Sequence, residues 1–173
     1  MSPETRTEVA QILETSRQDL HAAAAGLSES QAKAKPGPDR WSVLDCLEHV
    51  TVVEGRFYGW LEQAKRLDAP RVDKGKEAQM AARVVDRSNR AEAPEAARPT
   101  GRFATVAEAL KEFDAARART VAFLEARSAD LYAMEVTHPR FGAMNAAEFV
   151  RIIAGHTQRH AAQMREALTA LGA

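Results

Sequence analysis

Cysteine is almost absent from this chain: Cys46 is the one thiol in 173 residues, so no intrachain disulfide can form and nothing points to an oxidising compartment. Aromatic residues make up only 6%, and neither charge is in excess, with 24 basic residues against 24 acidic ones. Zero net charge argues against nucleic acids and anionic membranes as partners, since both usually demand a basic patch. The arginines loosely gathered between Arg83 and Arg102 are interleaved with Asp86, Glu92 and Glu95, a pattern that reads as a solvated segment. No run approaches the roughly 18 apolar residues of a membrane span, and Met1 to Glu8 holds acids where a secretion signal would have an apolar stretch. A cytoplasmic location is the expectation.

What is present is ordinary globular material, 45% apolar and 28% charged. A chain this long buries about 70% of its unfolded surface and is expected to form one domain over residues 1–173. Helical periodicity dominates. The first pattern runs from about Pro3 to Ala25, with Val9, Ile12, Leu13 and Leu20, and stops at Gly26. Ser28 and Gln31 have capping-box spacing for a single turn before Pro36-Gly37-Pro38 breaks the chain. A second helix starts at Ser42, with Asp45 three residues on, carries Val43, Leu44, Leu47, Val50, Phe57 and Leu61, and should end near Leu67.

Residues 69–101 are punctuated by Pro70, Gly75, Pro94, Pro99 and Gly101, with room for a short helix only over Glu77 to Val85. A connection this long is usually functional or mobile. Thr105 and Glu108 open a third helix, and Asn145 and Glu148 a fourth that ends at Leu171-Gly172. The pattern predicts an all-α protein: an up-down four-helix bundle with a long connection between the second and third helices and no convincing strand.

Chemistry concentrates in His156-Thr157-Gln158-Arg159-His160. Positions i and i+4 share a helix face, so two imidazoles can converge on one cation. Phe149, Ile152, Ile153, Met164 and Leu168 place that face toward the core, where polar rings need partners. A catalytic zinc-like site takes three protein ligands and keeps one position open. His49, midway along the second helix with Cys46, Val52 and Val53 at helical spacing, is the best third candidate by burial; His21 and His138 lie toward a helix end and in a loop. The competing reading is a helix histidine bonded to a backbone carbonyl or an acid. Thr157 stands where zinc peptidases carry the glutamate of H-E-x-x-H, so that mechanism lacks its base.

Trp41-Ser42-Val43-Leu44-Asp45-Cys46-Leu47-Glu48-His49-Val50 resembles the W-S-x-x-[ED]-x-[LI]-x-H-[LV] signature of the DinB-like (DinB/YfiT-type) superfamily of metal-dependent enzymes. His138-Pro139-Arg140-Phe141-Gly142 resembles its H-P-x-x-G loop, and Ala154 to Gln163 its closing H-x-x-[HR]-H-x-x-Q segment. The resemblance spans almost the whole chain in order. It implies a four-helix bundle and frequent homodimers, with His49, His156 and His160 holding a divalent metal ion, usually nickel, zinc or iron. Members with assigned chemistry include transferases and isomerases that use a low-molecular-weight thiol, such as mycothiol-dependent maleylpyruvate isomerase. Nothing in this chain selects a small-molecule substrate, and no catalytic residue is assigned.

Other residues carry competing readings. Cys46 is a nucleophile or, more often for a lone cysteine on an apolar face, a small buried hydrophobe. Glu54 is a general base, a partner to a ligand, or a partly solvated carboxylate, the last being expected. His138 gates the site or serves a turn beside the fourth helix's start, Trp41 and Trp60 pack, and Gln163 orients a ligand or caps solvent access. Two functions stay open: a metal-dependent hydrolase or thiol-dependent transferase, with residues 69–101 as a lid or pocket wall, and a non-catalytic binding or stress-associated module braced by metal.

Overall fold

Local capping sets the helix starts in the computed structural model, which describes residues 3–88, 92–126 and 131–172. Helix α1 spans Pro3–Ala24 and ends before Gly26, whose φ of 71° is a left-handed conformation that suits glycine. A single turn, α2 (Glu29–Lys33), follows the Ser28–Gln31 capping box. Helix α3 (Val43–Glu62) opens where Ser42 Oγ accepts the Asp45 amide at 3.1 Å and Asp45 accepts the Ser42 amide at 2.9 Å. Helix α4 spans Lys74–Val85, α5 Val106–Ala126 and α6 Ala146–Leu171; Asn145 and Glu148 cap α6 reciprocally at 2.8 and 3.0 Å.

Helices α1, α3, α5 and α6 form the bundle. Packing runs α1–α6–α3–α5 and back to α1, so α1 and α3, consecutive in the bundle, lie diagonally. The helical bundle and the long second-to-third connection are as expected, but the ring is not the sequential one that a simple up-down reading assumes. The diagonal crossing is bridged at the centre by charge. Arg117 of α5 and Glu54 of α3, each 2% exposed, form a two-point ion pair at 2.8 and 3.1 Å. The remaining guanidinium hydrogens go to the Leu13 carbonyl, Ser16 Oγ and Thr157 Oγ1 at 2.7–2.9 Å, so four helices meet on one fully satisfied cation. Glu54, expected to be partly solvated, is thus structural and buried.

The expectation of no strand is corrected by a small antiparallel sheet, β1 (Lys65–Arg66), β2 (Met134–His138) and β3 (Gly142–Asn145), in that order. Met134 and Val136 are buried while Thr137 is exposed, a two-residue alternation too short to outweigh helical patterns on either side. Its turn closes on Gly142 at φ 74°, with His138 opposite Gly142 and Val136 opposite Met144. Pairing of β1 with β2 ends α3 at Glu62 rather than near Leu67, and the Leu67 amide goes to the Ala133 carbonyl instead. Among the described residues no helix is long and apolar enough to cross a membrane.

The described parts of the long connection pack against the bundle. Helix α4, capped by Asp73 and longer than the expected Glu77–Val85, lies along α6. Gly155 permits this closeness: a Cβ there would sit 3.2 Å from Val84 Cγ1. A 3-10 turn, Glu95–Ala97, then brings the chain back to α3.

Candidate metal centre

Three rings from two helices meet beside the point where that turn lands. Ring centroids are 5.1 Å apart for His49 and His156, 4.6 Å for His49 and His160, and 4.6 Å for His156 and His160. One nitrogen from each lies within 4.8 Å of the others, a set that could hold a metal ion, and among the described residues no other histidine, cysteine or carboxylate joins it. Sequence reasoning selected these three; the structure brings them together. His21 instead contacts Asp114 at 2.9 Å between α1 and α5, and His138 lies outside the cluster.

The donor orientation suits a cation. His49 Nδ1 is 2.6 Å from the Ala97 carbonyl, which can only accept, so Nδ1 carries the hydrogen and Nε2 keeps its lone pair. That Nε2 is 3.2 Å from His156 Nε2. Tetrahedral zinc with bonds of 2.0–2.1 Å separates its ligand nitrogens by about 3.3–3.4 Å, so the spacing fits. His160 Nδ1 is buried without a hydrogen-bond partner, an orphaned polar atom at the same place. Burial lowers all three imidazoles, and for His156 and His160 the neighbouring histidines and Arg159 lower them further. Near pH 7 the rings are neutral and repel no cation.

Two features hold His49 in register. Glu48, 3% exposed, accepts four hydrogen bonds: from Thr100 N and Oγ1 at 2.7 and 2.9 Å, Gly101 N at 3.0 Å and Arg102 N at 2.9 Å. Burial opposes its ionisation, yet these bonds hold its carboxyl below the usual range. The carboxylate thereby anchors the end of the connection that carries Ala97. Trp41 closes the other flank, 4.8 Å from His49 and stacked at 6.0 Å on His160. Sequence reading assigned Trp41 to packing and did not single out Glu48; a buried glutamate inside the tryptophan–histidine block was the available signal. The Ala97 carbonyl left none, because any residue supplies a backbone oxygen.

His156, unlike its two partners, is only half-buried by its surface exposure. Phe57 meets it edge-on at 5.6 Å, and His138 packs against Phe57, Trp60 and Phe141 at 6.2, 5.3 and 4.8 Å. His138 Nδ1 accepts the Arg140 and Phe141 amides at 3.0 and 3.3 Å, the expected turn role, and burial with the Arg140 charge pushes its pKa down to about 4. Cys46 is fully buried and its thiol is pushed far up by desolvation, the state of a packing residue. Gln163 approaches Arg87 at 3.4 Å rather than any of the three rings.

Comparison with known proteins agrees with this architecture. Residues 12–164 match the family described as the DinB superfamily. A curated relative, the uncharacterized protein YuaE of Bacillus subtilis (strain 168), is 26% identical over 141 residues, covering 82% of this chain and 85% of the relative. A solved structure, YfiT from Bacillus subtilis, superposes with a TM-score of 0.66 over 99% of this chain and 90% of that one, at 16% identity. YfiT is described as a probable metal-dependent hydrolase with an unusual four-helix bundle topology.

Proposed function

The chain belongs to the DinB superfamily, and from that membership and the histidine geometry we infer that it is a metal-dependent enzyme of small-molecule hydrolysis or thiol-dependent group transfer. The observation that carries the reading is the meeting of three neutral imidazoles without a fourth protein donor among the described residues. His49, His156 and His160 would hold a divalent ion, with nickel, zinc and iron all suited to imidazole. When bound, such an ion supplies Lewis acidity that lowers the pKa of a water or thiol reaching it. The chain does the positioning. Ala97 fixes the His49 tautomer, Glu48 holds the Ala97 segment, and the half-exposed edge of His156 leaves the approach through which substrate arrives.

The alternative, a metal-braced module without catalysis, would be favoured by a closed ligand set; the absence of a fourth donor among the described residues weighs against it. A homodimer in solution belongs to the same proposal, with sedimentation velocity as its check. Elemental analysis of protein purified without an affinity tag should find about one first-row ion per chain. His156→Ala should reduce it to near zero, whereas stoichiometric metal in that variant would overturn the ligand assignment. A screen of esters, amides and thiol-acceptor pairs then separates hydrolysis from transfer.

A further inference from the structure

Two arginines gather on one ring of the β2–β3 turn although the chain as a whole is neutral. Arg83, near the end of α4, and Arg140, in the β2–β3 turn, converge on one aromatic ring, their guanidinium carbons 5.5 and 5.7 Å from the Phe141 centroid. Both are exposed, and among the described residues neither forms an ion pair. The acids that act on Arg159 have partners of their own: Glu166 holds Arg87 through two bonds of 2.6 and 2.7 Å, and Asp86 accepts the Ser88 amide and hydroxyl at 2.9 Å.

A chain of contacts links this pair to the histidines. Val84, next to Arg83, is the residue that a Cβ on Gly155 would strike, and Gly155 precedes His156. Phe141 reaches His156 through His138 and Phe57, each ring contact being 6.2 Å or less. Arg159, one turn beyond His156, donates to the Val84 and Asp86 carbonyls, which ties the end of α4 to the histidine helix. Charge at Arg140 acts on Arg159 and His138, and charge at Arg159 acts on His156 and His160. Arg83 and Arg140 have no ion-pair partner among the described residues, and a planar guanidinium fork matches the oxygens of a carboxylate or phosphate.

We propose that Arg83 and Arg140 form an oxyanion-binding site at the mouth of the three-histidine cluster, so that the substrate is a small molecule bearing a carboxylate or phosphate group. Its reaction class rests on the metal-dependent reading above; the anion binding does not.

Calorimetric titration with inorganic phosphate at low ionic strength tests the site, using wild type and Arg83→Gln/Arg140→Gln, each both zinc-loaded and chelator-treated. The double variant should bind phosphate about tenfold or more weakly in both forms while retaining zinc stoichiometry. Arg56→Gln/Arg66→Gln, an equal loss of charge elsewhere, should change nothing. No phosphate binding by wild type, unaltered binding by the double variant, or an equal loss in the control pair overturns the proposal. In cobalt(II)-loaded protein, saturating phosphate should alter the visible absorption; an unchanged spectrum would detach the arginines from the histidine site. Wild type that binds phosphate but retains no metal defeats the metal reading alone.

Discussion

Glu48 and His49 are adjacent in sequence and about 100° apart around their helix, so one grips the connection while the other faces the cluster. The carboxylate acts on the imidazole only through the backbone between Ala97 and Arg102. Removing a group that orients a metal ligand through its partner typically costs about 10–100-fold in metal affinity. Glu48→Gln should weaken zinc binding by that order, read by competition with a chromogenic chelator. An unchanged affinity would mean that Ala97 stays in place without the anchor.

A second residue-scale prediction concerns the buried cation. Arg117→Met leaves Glu54 charged, buried and unpaired, a loss of about 3–5 kcal/mol. Arg117→Met/Glu54→Leu removes both charges and should recover much of that stability, as measured by urea denaturation. If the double variant were as unstable as the single one, the pair would hold the helices by more than mutual neutralisation.

At the scale of elements, the decisive contact is α4 on α6. Gly155→Ala gains about 1 kcal/mol of helix propensity. The new Cβ would lie 3.2 and 3.3 Å from Val84 Cγ1 and Cβ, on a branched residue fixed in its own helix. Overpacking of this kind costs about 1–3 kcal/mol, so the clash should win. Thermal melts should show Gly155→Ala destabilised and Gly155→Ala/Val84→Ala partly restored; additive losses would show that the two residues do not touch. The same scale shows what was legible in the sequence. The starts of α3 and α6 follow from short-range capping by Ser42–Asp45 and Asn145–Glu148, which needs no tertiary context. The strands did not, because β1 is two residues long and has meaning only once β2 lies beside it. The start of helix α4 is not legible in the sequence because Lys74, Gly75 and Lys76 are polar or flexible, and it is Asp73 capping the Lys76 amide that turns them into a first turn.

Over the whole molecule, acid should act through the histidines. In the metal-free protein the folded-state pKa of His138 is about 4 against an unfolded value near 6.5, and burial lowers His49, His156 and His160 as well. Between those values the unfolded chain binds more protons than the folded one, so stability is full above pH 6.5 and declines toward pH 4. Urea midpoints of metal-free protein should fall across that window, and His138→Gln should flatten part of the slope. A flat profile would mean that these rings titrate alike in both states.

Composition, helical period and capping determined a mostly helical bundle, and the i,i+4 spacing of His156 and His160 determined a shared face, since both are properties of a helix alone. Burial on an apolar stripe made His49 the best third ring. The tertiary structure alone decided the rest: a packing ring that sets α1 diagonal to α3, an Arg117–Glu54 bond across 63 residues, and a carbonyl 48 residues away that fixes the His49 tautomer. These depend on distances between segments whose separation in the unfolded chain is unconstrained, so no local rule could state them before the core closed.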